Sequence, residues 1–199
     1  MFRMTIILFL ISSRLFGQVD VEAYEIYSTI IEEELKLRNS SKQLILIKNS
    51  TTSEHATQSM EEVTYFLKQG EPIFCSYPDK VNELIKSNPI IGTLILELEL
   101  KCDSTYLLGQ AFSIDMTYKL ISPNKFQRIL RKDQLYKIRR KDPRLFGMIE
   151  FSNVARNADF AAVYYGFHVE SLNAVGAIAI LKKENGKWII ISRPELWVS

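Results

Sequence analysis

The chain contains two histidines, His55 and His168, and two cysteines, Cys75 and Cys102, so the chemistry open to it is narrow. His168 ends the run VYYGFH, where period-two alternation puts it on one strand face with Tyr164, Gly166 and Glu170. A histidine, a carboxylate and a phenol on one face can move protons or join a metal site, because all three titrate and offer ligand atoms. Residues 93–102, TLILELELKC, alternate apolar and charged, and read as a strand they put Glu97 and Glu99 about 7 Å apart on one face. Paired carboxylates at that spacing suit glycoside hydrolysis or cation binding. The plainer readings are a structural histidine and the wet face of an amphipathic strand. His55 falls in a polar loop. The sequence contains no H-x-x-x-H, C-x-x-C or G-x-S-x-G, and no P-loop or Rossmann glycine pattern, so neither a metal nor a cofactor is expected.

The basic segment is the least ordinary feature. Between Lys125 and Arg144, nine Lys or Arg stand against two Asp, a local charge of +7. Lys137, Arg139, Arg140, Lys141 and Arg144, interleaved with Leu135, Tyr136 and Ile138, could grip an anionic surface such as lipopolysaccharide, an acidic glycan or an acidic partner. Two blander readings compete: a solvated linker, or internal balance by the acids Glu22, Glu25 and Glu32 to Glu34.

The first residues, MFRMTIILFLISSRLFGQ, have a positive start at Arg3, an apolar run from Ile6 to Ile11, and a small residue before Gln18. That layout predicts a cleavable signal peptide over residues 1–17 and an exported, periplasmic or secreted product; an amphipathic leader is the alternative, since Arg14 falls late. The run is well short of the ~20 residues that span a bilayer, so no transmembrane helix is expected after cleavage. The leader carries Arg3 and Arg14 and no acid, so removing it takes the net charge from +2 to zero. Nucleic acid is therefore not an expected partner. Residues 18–199 suit a single domain, and 47% apolar residues provide a real core.

Several elements follow from periodicity. Tyr24, Tyr27, Ile31 and Leu35 predict a helix over 21–38, and QLILIK at 43–48 predicts a buried strand. Helices near 57–68 and 79–87 follow, then the 93–102 strand. Ser122-Pro123 predicts a helix start with Phe126, Ile129 and Leu130 inward, and its register fails after Asp133 into a basic linker. Beyond Met148 the pattern is all strand. The sum predicts an α+β protein: N-terminal helices and scattered strands packed on one side of a mainly antiparallel sheet that ends in a meander.

Within LKKENGKWIII, Asn185-Gly186 predicts a type I′ hairpin, because both central residues need positive φ. It pairs Glu184 with Lys187, Lys183 with Trp188, Leu181 with Ile190 and Ala179 with Ser192. Trp188 then pins the hairpin on the face of Leu181 and Ile190. The stretch from about Phe146 to Ser199 resembles a family of uncharacterised secreted bacterial proteins of the kind common in Bacteroidota. The resemblance rests on FSNV (Phe151, Ser152, Val154), AAVYYG (Ala161, Val163, Tyr164, Gly166), LKKENGKW (Leu181, Asn185, Gly186, Trp188) and Trp197. YKLIS at 118–122 is a weaker likeness, and Asp142-Pro143-Arg144 stands where the family often has Tyr-Pro-Gly. The resemblance implies secretion and the fold, and it brings no activity or site residue with it.

In an oxidising compartment, two cysteines permit one bridge, so a Cys75–Cys102 disulfide is expected, with two buried thiols as the alternative. The functional expectation is an exported, non-enzymatic binding module. A secreted hydrolase using His168 and Glu170, or Glu97 and Glu99, is the alternative and requires those side chains to share a cleft.

Overall fold

The computed structural model describes residues 20–38, 41, 43–51, 54–73, 75–109, 111–131, 134–170 and 173–199, and at 54, 55 and 170 the backbone alone. The leader expected over 1–17 lies outside the described residues. Six helices and eight strands follow in order: α1 (Val21–Leu37), β1 (Leu44–Lys48), α2 (Glu54–Gln69), α3 (Pro78–Ser87), α4 (Pro89–Cys102), β2 (Thr117–Ile121), α5 (Pro123–Arg131), α6 (Gln134–Lys141), β3 (Leu145–Phe151), β4 (Ala155–Arg156), β5 (Phe160–Glu170), β6 (Asn173–Glu184), β7 (Lys187–Ser192) and β8 (Glu195–Val198). The strands form one mixed sheet in the order β2-β1-β3-β5-β6-β7, with β4 beside β5 and β8 beside β6. β1 runs parallel to both β2 and β3, and every other pairing is antiparallel. The fold is α+β.

Strand parity sorts the core into two faces. Ile45, Ile47, Ile149, Phe151, Val163, Tyr165 and Phe167 meet α1 on one face. Ala162, Tyr164, Ile178 and Ile180 meet α2, α3 and α4 on the other, while Leu44, Leu46 and Met148 meet α5 and α6. Helices therefore cover both faces, and the expectation of one-sided packing is corrected. The physical reason is that β1, β3, β5 and β6 are apolar on both sides, so each face needs its own cover. α1 begins at Asp20, whose carboxylate accepts the Ala23 N–H at 2.9 Å. Tyr27 of α1 stacks on Phe151 with ring centroids 4.6 Å apart, and its hydroxyl donates to Ser152 O at 2.9 Å.

TLILELELKC is helical, not extended. Ile91, Leu94, Ile95, Leu98 and Cys102 form its buried stripe at three- and four-residue spacings, with Pro89 in the first turn. The Leu-Glu alternation misled because Leu100 is in fact 71% exposed and Leu96 is only half-buried. Leu and Glu are good helix formers, and the inward demand of α4 follows 3.6 rather than 2. The expected basic linker likewise contains a helix, α6, which buries Leu135. Residue 55 falls in the first turn of α2 rather than in a loop.

Other elements match their sequence signals. Ser122 Oγ accepts the Lys125 N–H at 3.4 Å at the start of α5, and Phe126 and Ile129 point inward. Asn185 and Gly186 have φ of 51° and 77°, as the type I′ turn demands. Glu184↔Lys187, Lys183↔Trp188 and Leu181↔Ile190 pair as expected, but a bulge then sets Ser192 opposite Ile180 rather than Ala179. Trp188 is buried beside Leu181 and Ile190, with Lys183 Nζ 5.4 Å from its ring centroid.

Candidate functional site

His168 is buried on β5, where β5 pairs with β3. Its Nε2 lies 3.9 Å from Glu150 Oε1, beyond hydrogen-bond range, and has no hydrogen-bond partner among the described residues. Glu150 comes from β3 and meets Lys48 of β1, Oε2 to Nζ 3.0 Å, with both side chains almost fully buried. Burial alone would push the Glu150 carboxyl up, yet His168 and Lys48 beside it hold it below its ordinary value. The Phe126 ring packs edge-on against His168 and lies 5.8 Å from Lys48 Nζ. Two glycines make room: a Cβ on Gly166 would meet Glu150 Oε1 at 3.1 Å, and one on Gly176 would meet Trp197 Nε1 at 2.0 Å. Trp197 Nε1 in turn donates to the Tyr164 hydroxyl at 3.0 Å.

The cluster thus unites Lys48, Glu150, Tyr164, His168 and Trp197 inside the sheet–helix interface. None of the three described clefts is lined by any of them. A buried ion pair of this kind specifies packing and register more readily than it serves a substrate. Sequence reading missed Lys48 and Glu150 because each is a lone charge at the end of an apolar run. The legible signal was their breaking of LILI and FGMI.

Glu97 and Glu99 do not join this cluster. On α4, Glu97 pairs with Lys101 at 3.2 Å and Glu99 with Lys68 of α2 at 2.8 Å, both at the surface. The backbone of Glu170 follows His168 on β5, and its side chain lies outside the described residues. A second buried network occupies the α1 face. Glu34 accepts from Tyr165 OH at 2.6 Å and from Arg38 Nε at 3.1 Å, and also pairs with Arg193. Each of its partners is itself held, so the network is structural. Cys75 and Cys102 are free thiols in the same apolar cluster, so the structure holds no disulfide between them. The placement of Cys102 on a core-facing strand fails because α4 is a helix. Burial pushes the Cys102 thiol up to about 12 and raises that of Cys75 as well.

The expected anionic-partner residues divide. Arg139 is a strut: its guanidinium donates to Phe146 O at 2.8 Å and to Val169 O, tying α6 to β3 and β5. Arg144 forms a paired contact with Asp142, Nε to Oδ1 and Nη2 to Oδ2 both 2.9 Å, and this hydrogen bonding holds the Asp142 carboxyl below its ordinary value. Lys137, Arg140 and Lys141 stay exposed with no ion pair among the described residues. Lys125, Arg128 and Arg131 line the outer side of α5 in the same condition, and Tyr136 is 56% exposed beside them. Lys119 of β2 also adjoins this surface, close enough to Asp142 to help lower its pKa.

The α1 acids do not neutralise this surface, because α1 packs on the opposite face of the sheet. Glu22 binds Arg156 and Lys183 instead, and Glu33 binds Lys36. No helix among the described residues is long and apolar enough to cross a membrane, and no group of three or more His, Cys, Asp or Glu among them is placed to hold a metal ion.

No protein-family model matches this chain, and neither a curated protein nor a solved structure matches it.

Proposed function

We propose that this protein is an exported binding module that engages a polyanionic partner through the outer surface of α5 and α6. One observation carries the reading: Lys125, Arg128, Arg131, Lys137, Arg140 and Lys141 are exposed on one side of the sheet with no ion pair among the described residues, and the acidic helix α1 lies on the other. The sheet and its two helix layers separate the charges by more than the roughly 8 Å over which they are felt at physiological salt. The basic surface therefore keeps its field, and six like charges on two short helices favour a multivalent anion. Export rests on the leader-like first residues, which a partner at a cell surface or in an extracellular matrix would fit.

The test is retention on a sulfated polysaccharide as salt is raised. The triple variant Lys137→Glu, Arg140→Glu, Lys141→Glu should elute at markedly lower salt with an unchanged melting temperature, since all three side chains are exposed. Unchanged retention would sink the reading.

A further inference from the structure

β7 is the outermost strand on its side of the sheet. One edge pairs with β6, and no described residue bonds to the other. The following strand is differently treated. Glu195 of β8 is covered by the segment before α3, with Ser76 N–H donating to Glu195 O at 2.9 Å and Glu195 N–H donating to Ser76 Oγ at 2.8 Å. Proteins usually blunt an open edge with proline, a bulge turned outward, or several charges. Along the first part of β7 the only charge is Lys187, the bulge and Pro194 come only at its far end, and Ile189 stands 39% exposed in its middle.

Two clefts border this open strand, one on the α1 face of the sheet and one on the α3 face. One of about 450 Å³ is lined by residues 186–190 and by the α1 stripe Glu25, Thr29, Glu32, Glu33 and Lys36. The other, about 260 Å³, is lined by residues 191–194 together with Tyr77 and Lys80 of the α3 start. Every residue from Gly186 to Pro194 therefore borders a groove. Glu33 and Lys36 pair with each other at 3.6 Å. The wider cleft thus presents three carboxylates against two ammoniums, Lys36 and Lys187, and among the described residues Glu25 and Glu32 have no ion pair.

Charge decides the occupant. A second copy pairing β7 with β7 would add an antiparallel strand across a two-fold axis normal to the sheet. That axis keeps both α1 helices on one face and sets their glutamates against each other. An extended segment with alternate basic residues instead gains the backbone hydrogen bonds and meets Glu25 and Glu32 with opposite charge. We propose that the β7 edge binds an extended cationic segment of another polypeptide as an added strand, in the manner of β-augmentation.

Peptides of alternating Lys and Val test this against alternating Glu and Val, read by the fluorescence of Trp188, which lines the wider cleft. The Lys-Val peptide should bind and the Glu-Val peptide should not. Glu25→Lys with Glu32→Lys should weaken binding about tenfold at low salt, the scale of two partly exposed charge pairs reversed. N-methylating alternate residues of the Lys-Val peptide should abolish binding for one set and spare it for the other, because an added strand uses one edge. Equal binding of both peptides, indifference to both methylation sets, or a self-associated form that the Lys-Val peptide does not disperse would each overturn the proposal. The peptide arms need no variant protein to fold.

Discussion

Lys48 Nζ and Glu150 Oε2 lie 3.0 Å apart on adjacent parallel strands, with 5% and 0% of their side chains exposed. The pair crosses from β1 to β3 and locks the alignment that puts Leu46 opposite Met148 and Ile47 opposite Ile149. A one-residue slip of either strand would turn its own charge to the α1 face, into apolar surroundings, and leave the other buried without its partner.

Breaking this pair should cost more than removing it. Glu150→Gln leaves an uncompensated buried ammonium and should destabilise by about 3–5 kcal/mol, whereas Lys48→Met with Glu150→Leu should recover most of that loss. Urea unfolding of the single and double variants measures both.

Acid should weaken the fold through the same carboxyl. Its folded pKa is below the ordinary 4.5, so its contribution is complete at neutral pH. That contribution declines as pH drops below 4.5 and is gone once pH passes the folded value. Melting temperature against pH should fall over this range, and the double variant should fall less steeply.

Trp188→Ala should cost about 3–5 kcal/mol, the range for truncating a buried aromatic. Thermal or urea unfolding reads the loss. An unchanged melting temperature would show that the side chain is not the pin of the hairpin.

Gly176→Ala should be disruptive for a residue in a regular strand. The added methyl would meet the Trp197 indole at 2.0 Å and push it from the Tyr164 hydroxyl. A loss of about 1–3 kcal/mol is expected from overpacking. A red shift in tryptophan emission should accompany it, and Trp197→Ala in the same background should relieve part of the cost.

Both cysteines should titrate as thiols. Alkylation without reductant, followed by mass measurement, should add two groups to the denatured chain. In the folded chain the half-buried Cys75 should react first and the buried Cys102 last. A chain that takes no label until reduced would establish the bridge instead.

Some of this protein was fixed locally. Asn185-Gly186 determined the hairpin because both residues accept the positive φ that a type I′ turn needs to match the twist of its strands, and the pairing of Lys183 with Trp188 followed. Ser122-Pro123 determined the start of α5, and the Tyr24, Tyr27, Ile31 spacing determined α1, since caps and amphipathic stripes act within a few residues. Residues 93–102 were not decidable that way. A leucine at every second position satisfies a strand face and much of a helix stripe, and burial against Tyr164 and Ile178 chose the helix. The basic segment from Lys125 was visible as charge, yet only the sheet between it and α1 decided that its field survives, and only the third dimension turned Arg139 into a strut. Lys48 and Glu150 stand 102 residues apart in the chain. Their meeting depends on the parallel pairing of β1 with β3, a long-range choice that no local propensity encodes.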